Sequence, residues 1–428
     1  MNRISILAAL ATLFAVEAAL SLYTGLPYDM DVWFKTGDWM NQGINIYQPN
    51  DHLGYPPLWS IWCLVSYKAY LFFGSNMELW RLIIKLPMIL AHLFLAYSLG
   101  DFVTRHFNAK LGKKIFFITL GWVFIIYIAA MWGQINTISA LLTFLAFDAL
   151  INRKTTKSGI LLGIAVALKI YPLILAPAFL AYAWMQSGRK SALKFTALLA
   201  AIPIAVIAAI FAIYKWDIIY FLKTIFYWTP VFETSQPQIS GGCMNLWSFT
   251  GLLTVDVGTL WFLRLLWIPI VLGGFSFYLF RRRRWDKMEF NLALITLFIL
   301  FLASYGYTTE QSFVDVLPFL FLQVLCFKPR KSDFLLLVGL QVLVFAFSAV
   351  NYGEFIFQPF VEEFYPSVLA SMQVFVPTEG SLIWAARGVL GLAFTVYVLG
   401  FLFMLIRHSK SNTLGLSNSR NIEEITAI

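Results

Sequence analysis

The chain has 428 residues, 60% of them hydrophobic and only 12% charged, with a mean hydropathy of +0.75. A soluble domain is roughly a quarter charged. Apolar runs recur along the whole length, more than an aqueous core could bury, so the composition excludes a soluble globular protein and makes the bilayer the solvent. The net charge of +9 does not point to nucleic acid, because the basic residues lie in short clusters between apolar runs, as in cytoplasmic loops. Cys63, Cys243 and Cys326 are scattered and match neither a metal spacing nor a disulfide framework.

In chain order, the first apolar run, 4–24, follows Arg3 and lacks a clean small-residue cleavage site, so it reads as a first span with the N-terminus inside. Further runs cover 80–102, 115–130, 135–151, 159–169, 172–184 and 192–214, then 260–280, 290–304, 313–327, 334–350 and 382–406. Placing the connections alternately puts 22 of the 31 Lys and Arg on the inside, among them Arg105, Arg153, Arg189, Arg281 and Arg407, while Asp and Glu crowd the outer loops. The run 56–73 is apolar enough to span, but spanning would move the basic stretch 104–114 outside; it reads as a helix on or dipping into the outer leaflet. The stretch 159–184, broken at Tyr171-Pro172, has basic loops at both ends and must enter and leave on one side, as two short helices meeting near Lys169.

The expected fold is therefore an all-α polytopic membrane protein with about 12 membrane segments. One integral membrane domain covers 1–408, with long outer loops at 25–79, 215–259 and 351–381 and juxtamembrane helices in the first. A polar, cytoplasmic, disordered tail covers 409–428. Both termini lie inside, and because the inner loops are short, chemistry is expected outside.

The first outer loop reads Tyr28-Asp29-Met30-Asp31-Val32-Trp33-Phe34, then Gly43-Ile44-Asn45-Ile46-Tyr47, then Gly54-Tyr55-Pro56-Pro57-Leu58. Asp29 and Asp31 fall just after a span, where a carboxylate can take a proton from a hydroxyl nucleophile or hold a cation. Asp-x-Asp alone is a weak signal, since most surface acids are simply solvated. Nine basic residues lie outside the cytoplasmic clusters, and most cations at a membrane boundary only snorkel. Lys169 stands apart, interrupting an apolar stretch beside a proline-broken tip, where irregular backbone must be buried in protein or line a cavity. Lys85 and Arg81 open the second span at the outer face. Gln134 and Asn136 sit at an outer turn, where amides commonly cap helices. Glu310 and Gln311 end another span outside. His52, His92, His106 and His408 form no ligand set, and nucleotide-binding signatures are absent.

The segments D-M-D-V-W-F, G-I-N-I-Y and Y-P-P-L resemble the first loop of membrane glycosyltransferases of the GT-C superfamily. They are most similar to mannosyltransferases that use a polyprenyl-phosphate sugar, including the PIG-M-like group and the PimE-like group of glycosyltransferase family 87. The resemblance continues through Lys85-Leu86-Pro87, Trp132-Gly133-Gln134-Ile135-Asn136, Ala167-Leu168-Lys169-Ile170-Tyr171-Pro172 and Asn245-Leu246-Trp247, covering about the first 250 residues; beyond that it lies in topology alone. Some of these relatives carry Asp shortly after the K-L-P element, where this chain has His92.

The resemblance implies a GT-C-type helical bundle and an inverting transfer of a hexose, mannose by similarity, from a polyprenyl-phosphate donor to a lipid-linked or cell-surface glycan outside the cytoplasm. Asp31, aligned with the acid of the family motif, is the implied base, with Asp29 as alternate or partner. Lys169 and Lys85, with Arg81 in reserve, would meet the donor phosphate. Tyr55, Trp132, Gln134, Asn136, Asn245, Trp247, Glu310 and Gln311 would meet sugar or acceptor. No metal ligand and no cofactor beyond the lipid donor are implied, and the partners are the donor, the acceptor and membrane lipid. Rival readings are a transporter or lipid-glycan flippase, which predicts paired repeats and midplane charges, and an O-antigen-type polymerase or ligase with the same topology. The oligomeric state stays open.

Overall fold

The computed structural model describes residues 3–48, 55–228, 243–250, 267–281, 285–305, 308–353, 355–367 and 382–410. The expected tail beyond Lys410 therefore lies outside the described residues, as do much of the central and late outer loops and Arg282 to Arg284, while Ser409 and Lys410 belong to the last helix. Every described element is helical, as expected of a backbone that must satisfy its own polar groups in lipid.

A first span, α1 (Arg3–Tyr23), leads into two shorter helices, α2 (Pro27–Asn41) and α3 (Leu58–Phe72). The fifteen residues of α3 are too few to cross the roughly 30 Å hydrocarbon layer. The long α4 (Met77–His106) starts where Asn76 Oδ1 accepts the Leu79 amide at 2.6 Å. It is followed by α5 (Ala109–Leu120) and α6 (Val123–Ile126), which widens into a π turn at Tyr127–Trp132; the two parts are bent by 45°. Next come α7 (Asn136–Ile151), α8 (Thr155–Leu168), a 3₁₀ turn at Tyr171–Leu175 and α9 (Ala176–Tyr214). The remainder comprises α10 (Ile218–Trp228), α11 (Leu246–Thr250), α12 (Trp267–Arg281), α13 (Lys287–Ser304), a 3₁₀ helix at Glu310–Asp315, α14 (Leu317–Leu322), α15 (Lys331–Ser348), α16 (Gln358–Phe364) and α17 (Leu382–Lys410).

Six of these segments are long and apolar enough to cross a bilayer, or seven with the bent pair counted as one span. That is fewer than the expected dozen, for two physical reasons. Tyr171–Tyr214 counts once although its 44 residues would measure about 66 Å, twice the apolar thickness. It turns at Gly188, whose backbone (φ 80°, ψ 175°) no helix contains, beside the basic Arg189 and Lys190. Asn136–Ile151, Thr155–Leu168 and Leu317–Phe327 are apolar but short, and the expected run 260–280 lies partly outside the described residues.

α13 forms the centre, with Phe290, Leu294, Phe298 and Leu302 at most 1% exposed. The outer helices turn large apolar side chains outward, such as Leu7 and Val16 on α1 and Val396 and Phe403 on α17, as a lipid-facing surface requires. Polar contacts tie the helices inside. His92 Nδ1 meets Glu17 Oε1 at 2.5 Å and its Nε2 meets the Thr119 carbonyl at 3.0 Å, binding α4 to α1 and α5. At the far end of α4, Arg105 Nη2 lies 2.9 Å from Asp148 Oδ2 and Lys287 Nζ 2.8 Å from His106 Nδ1.

Candidate functional site

At the other end of α4, four interruptions of helix converge. Pro27 opens α2, its fixed φ suiting a first turn that needs no N–H there, and so Asp29 falls in that turn. The π turn at Tyr127–Trp132 stops at Gly133, whose φ of +85° glycine tolerates and whose missing side chain makes room for Lys85; a Cβ there would lie 2.9 Å from Lys85 Cγ. The amides of Gly133 and Gln134 both donate to the Ile128 carbonyl, at 3.0 and 2.9 Å.

This turn aims two side chains at one atom. Trp132 Nε1 and Gln134 Nε2 each donate to Asp29 Oδ2 at 2.7 Å. The Tyr55 hydroxyl donates to Gln134 Oε1 at 3.2 Å, and the Tyr47 hydroxyl to the Tyr55 carbonyl at 3.0 Å.

The third interruption is the end of α8, where Lys169 is extended (φ −152°, ψ 132°) ahead of Pro172. Its ammonium is buried, 4.9 Å from the Tyr171 ring centre and 5.7 Å from that of Tyr55. Lys169 Nζ donates to Asn136 Oδ1 at 2.9 Å, and Asn136 Nδ2 donates to Asp315 Oδ2 at 2.6 Å. Asp315 closes the fourth interruption, the 3₁₀ helix Glu310–Asp315. Tyr55 thus joins the two halves, its hydroxyl on the Asp29 side and its ring on the Lys169 side.

Burial pushes the Asp29 carboxyl up to about 6; the hydrogen bonds from Trp132 and Gln134 and the positive charge of Lys169 only partly offset it. A group in that range can hold a proton or take one near neutral pH. Glu310, fully buried at the start of the same 3₁₀ helix, is pushed by burial to about 7, partly offset by the nearby Asn351 and Ser348 side chains and by Arg387.

The other sequence candidates divide clearly. Asp31 lies outside the cluster, exposed on the opposite side of α2 and paired with Lys35 at 2.6 Å. Lys85 reaches the cluster from behind. Its ammonium is fully buried and lies 2.5 Å from the Thr24 carbonyl, 3.0 Å from that of Ala130 and 3.1 Å from that of Met131. It therefore fastens the end of α1 to the π turn, and its hydrogen bonds are occupied by backbone rather than open to a phosphate. Arg81 Nη1 lies 3.4 Å from the Leu22 carbonyl, also at the end of α1. Asn245 donates to the carbonyls of Leu302 and Tyr305 at 2.9 and 2.7 Å, and Trp247 Nε1 to that of Ser304 at 2.8 Å; both anchor the central loop to the end of α13. Gln311 follows Glu310 in the 3₁₀ helix.

Sequence reasoning missed Asp315. Its signal was present: a lone acid inside Phe313-Val314-Asp315-Val316-Leu317, where an ionisable group within an apolar run is functional by default. Among the described residues no three His, Cys, Asp or Glu side chains converge as a metal site would need.

The sequence profile of glycosyltransferase family 87 matches residues 52–304, more than half of the chain. Among solved structures, the chain is similar to ArnT from Cupriavidus metallidurans bound to undecaprenyl phosphate, with a TM-score of 0.50 and 13% identity over 95% of this chain and 77% of that one. At that identity the likeness is one of fold, and it extends beyond the segment matched by the profile. A search of curated proteins returns no match.

Proposed function

The chain belongs to glycosyltransferase family 87 and has the GT-C fold of a multi-pass membrane glycosyltransferase, and on that premise we propose that it moves a hexose, mannose in our reading, from a polyprenyl-phosphate carrier to a hydroxyl of a lipid-linked or cell-surface glycan. The observation that carries this reading is the pairing of a hydrogen-bonded Asp29 carboxylate with the buried Lys169 ammonium on either side of Tyr55. The lipid phosphate bound to ArnT supports a polyprenyl-phosphate donor.

In the proposed step, the acceptor oxygen attacks the anomeric carbon from the face opposite the phosphate. The carbon–oxygen bond to phosphate breaks as the new glycosidic bond forms, with inversion. Asp29 takes the hydroxyl proton, and the phosphate leaves with the bond pair, its charge countered by Lys169. Trp132 and Gln134 hold Oδ2, which leaves Oδ1 to accept the proton. The base assigned here is Asp29 rather than Asp31, because Asp31 is engaged with Lys35 in solvent. The donor needs no nucleotide site, which agrees with the lack of such signatures in the sequence. The basic clusters at the opposite end of the helices support placing the Asp29 end on the non-cytoplasmic side.

The test is sugar transfer by purified protein from synthetic polyprenyl-phosphate mannose to a membrane lipid extract, read by product mass. Transfer by wild type and loss in Asp29→Asn support the assignment. Transfer only from another hexose carrier corrects the sugar, addition of a preassembled glycan indicates a polymerase or ligase, and silence with every carrier rejects the reading.

A further inference from the structure

We propose that the cavity where α7 hands over to α8 binds the phosphate headgroup of a membrane lipid, at a site separate from the catalytic one. The cavity measures ≈ 620 Å³ and opens to the surface. Helix α8 has Lys154 at one end and Lys169 at the other, and its 14 residues separate the two sites by about 21 Å. The proposal is therefore independent of the assignment made for Asp29.

Four cations line the cavity: Arg153, Lys154 and Lys157 from the start of α8, and Lys194 from α9 beyond the turn at Gly188. Among the described residues, its lining contains no carboxylate to neutralise them. Basic clusters are expected wherever a cytoplasmic loop lies, but these are gathered round a concavity from two separate helices.

Backbone features make the site more suited to an anion than a solvated loop would be. No side chain caps the start of α8, and its first residues, Thr155 to Lys157, line the cavity, which places the positive end of the helix dipole beside it. The hydroxyl residues Thr155 and Ser191 also line it. Arg153 occupies the left-handed position that ends α7, at φ 58°, with its amide donating to the Leu150 carbonyl at 2.9 Å and that of Lys154 to Ala149 at 2.8 Å. Glycine or asparagine usually fills that position; here a guanidinium is kept against the backbone preference, and such an outlier points to a task for the side chain.

A free phosphate and a lipid headgroup share this chemistry. The remaining lining decides between them: Ile160 and Leu161, on the next turn of α8 toward the middle of the bundle, give an acyl chain an apolar wall that a free ion would not use.

The experiment titrates full-length protein in detergent with dioctanoylphosphatidic acid, dioctanoylphosphatidylcholine and inorganic phosphate, counting bound molecules by native mass spectrometry. Phosphatidic acid should bind at least about tenfold more tightly than phosphatidylcholine. That preference should shrink in rising salt and vanish in the combined variant Arg153→Gln, Lys154→Gln, Lys157→Gln, Lys194→Gln. Replacing the three lysines by arginine should retain it. Equal binding of the two lipids, or an unchanged preference in the glutamine variant, overturns the proposal. Inorganic phosphate displacing the lipid at equal concentration overturns the lipid as occupant. Should the glutamine variant fail to fold, the wild-type comparison and its salt dependence decide alone. Sugar transfer by the arginine variant, measured in parallel, keeps this result apart from any failure of the catalytic reading.

Discussion

Asp29 and Asp31 stand two residues apart on α2, and their carboxylates are separated by about 200° around its axis. Asp29 turns inward to Trp132 and Gln134; Asp31 turns outward to Lys35. A charge pattern that looks like one acidic motif is thus two groups in different surroundings.

Replacing them one at a time should give unequal results. Asp29→Asn is expected to lower transfer by about 10²–10⁴-fold, the range for loss of a general base. Asp31→Asn removes an exposed ion pair of small consequence and should change kcat/KM by less than about threefold. Steady-state transfer rates of the two variants decide it, and a silent Asp31→Asn beside an active Asp29→Asn would return the base to Asp31.

The pH dependence should carry an opposite sign for rate and stability. A base must be unprotonated, so kcat/KM is expected to rise with pH and level off above about 6, the value to which burial pushes Asp29. The folded protein then binds a proton that the unfolded chain has released. The contribution of this group to stability is full below its ordinary value of 3.8 and is lost as pH rises to about 6. Rate profiles and melting curves taken together check this, and Asp29→Asn should flatten that part of the melting curve.

The two buried lysines should also separate. Lys169→Met is expected to cut transfer by about 10²–10³-fold, as loss of one charge-stabilising donor does, and to strand a single acceptor, Asn136 Oδ1, so it should lower the melting temperature less than Lys85→Met does. Lys85→Met leaves the carbonyls of Thr24, Ala130 and Met131 without their donor and should destabilise the fold on the order of 1–3 kcal/mol. Thermal unfolding in detergent, run beside the activity assay, distinguishes the two. A Lys85→Met protein that melts like wild type but transfers no sugar would make Lys85 a ligand after all.

Glu17 and His92 form a pair with both side chains fully buried. His92→Leu alone strands a buried carboxyl and is expected to cost on the order of 3–5 kcal/mol, whereas Glu17→Leu with His92→Leu should recover most of that loss. A double variant no more stable than the single one would contradict the pairing.

Much of the fold was legible because lipid imposes a simple rule: long apolar runs become helices, and basic residues mark one side. The halt at Lys169 and Pro172 was legible for the same reason, since a charge and a proline cannot continue an apolar helix. The full-length span count was not, because α7, α8 and α14 are shorter than a bilayer is thick and hydropathy alone does not tell a short buried helix from a span. At the site, Trp132, Gln134, Asn136 and Lys169 could be named from sequence, but their partners could not. The orientation of Asp29 against Asp31 depends on helical phase, set by Pro27. The binding of Lys85 to backbone carbonyls depends on the left-handed turn at Gly133, and the contact between Asn136 and Asp315 joins residues 179 apart.

The long separations between these partners also set a schedule. A ribosome delivers the Asp29 carboxylate first, Trp132 103 residues later and Asp315 long after both. At about 5–20 residues per second, the carboxylate waits seconds for its hydrogen-bond donors and longer for the segment that braces Asn136 against Lys169. Lys85, which fastens α1 to the turn that carries those donors, has already entered with α4 by then. A nascent chain released before Glu310–Asp315 has been made would carry Asn136 and Lys169 without the Asp315 brace, so the site is completed only when that late segment arrives.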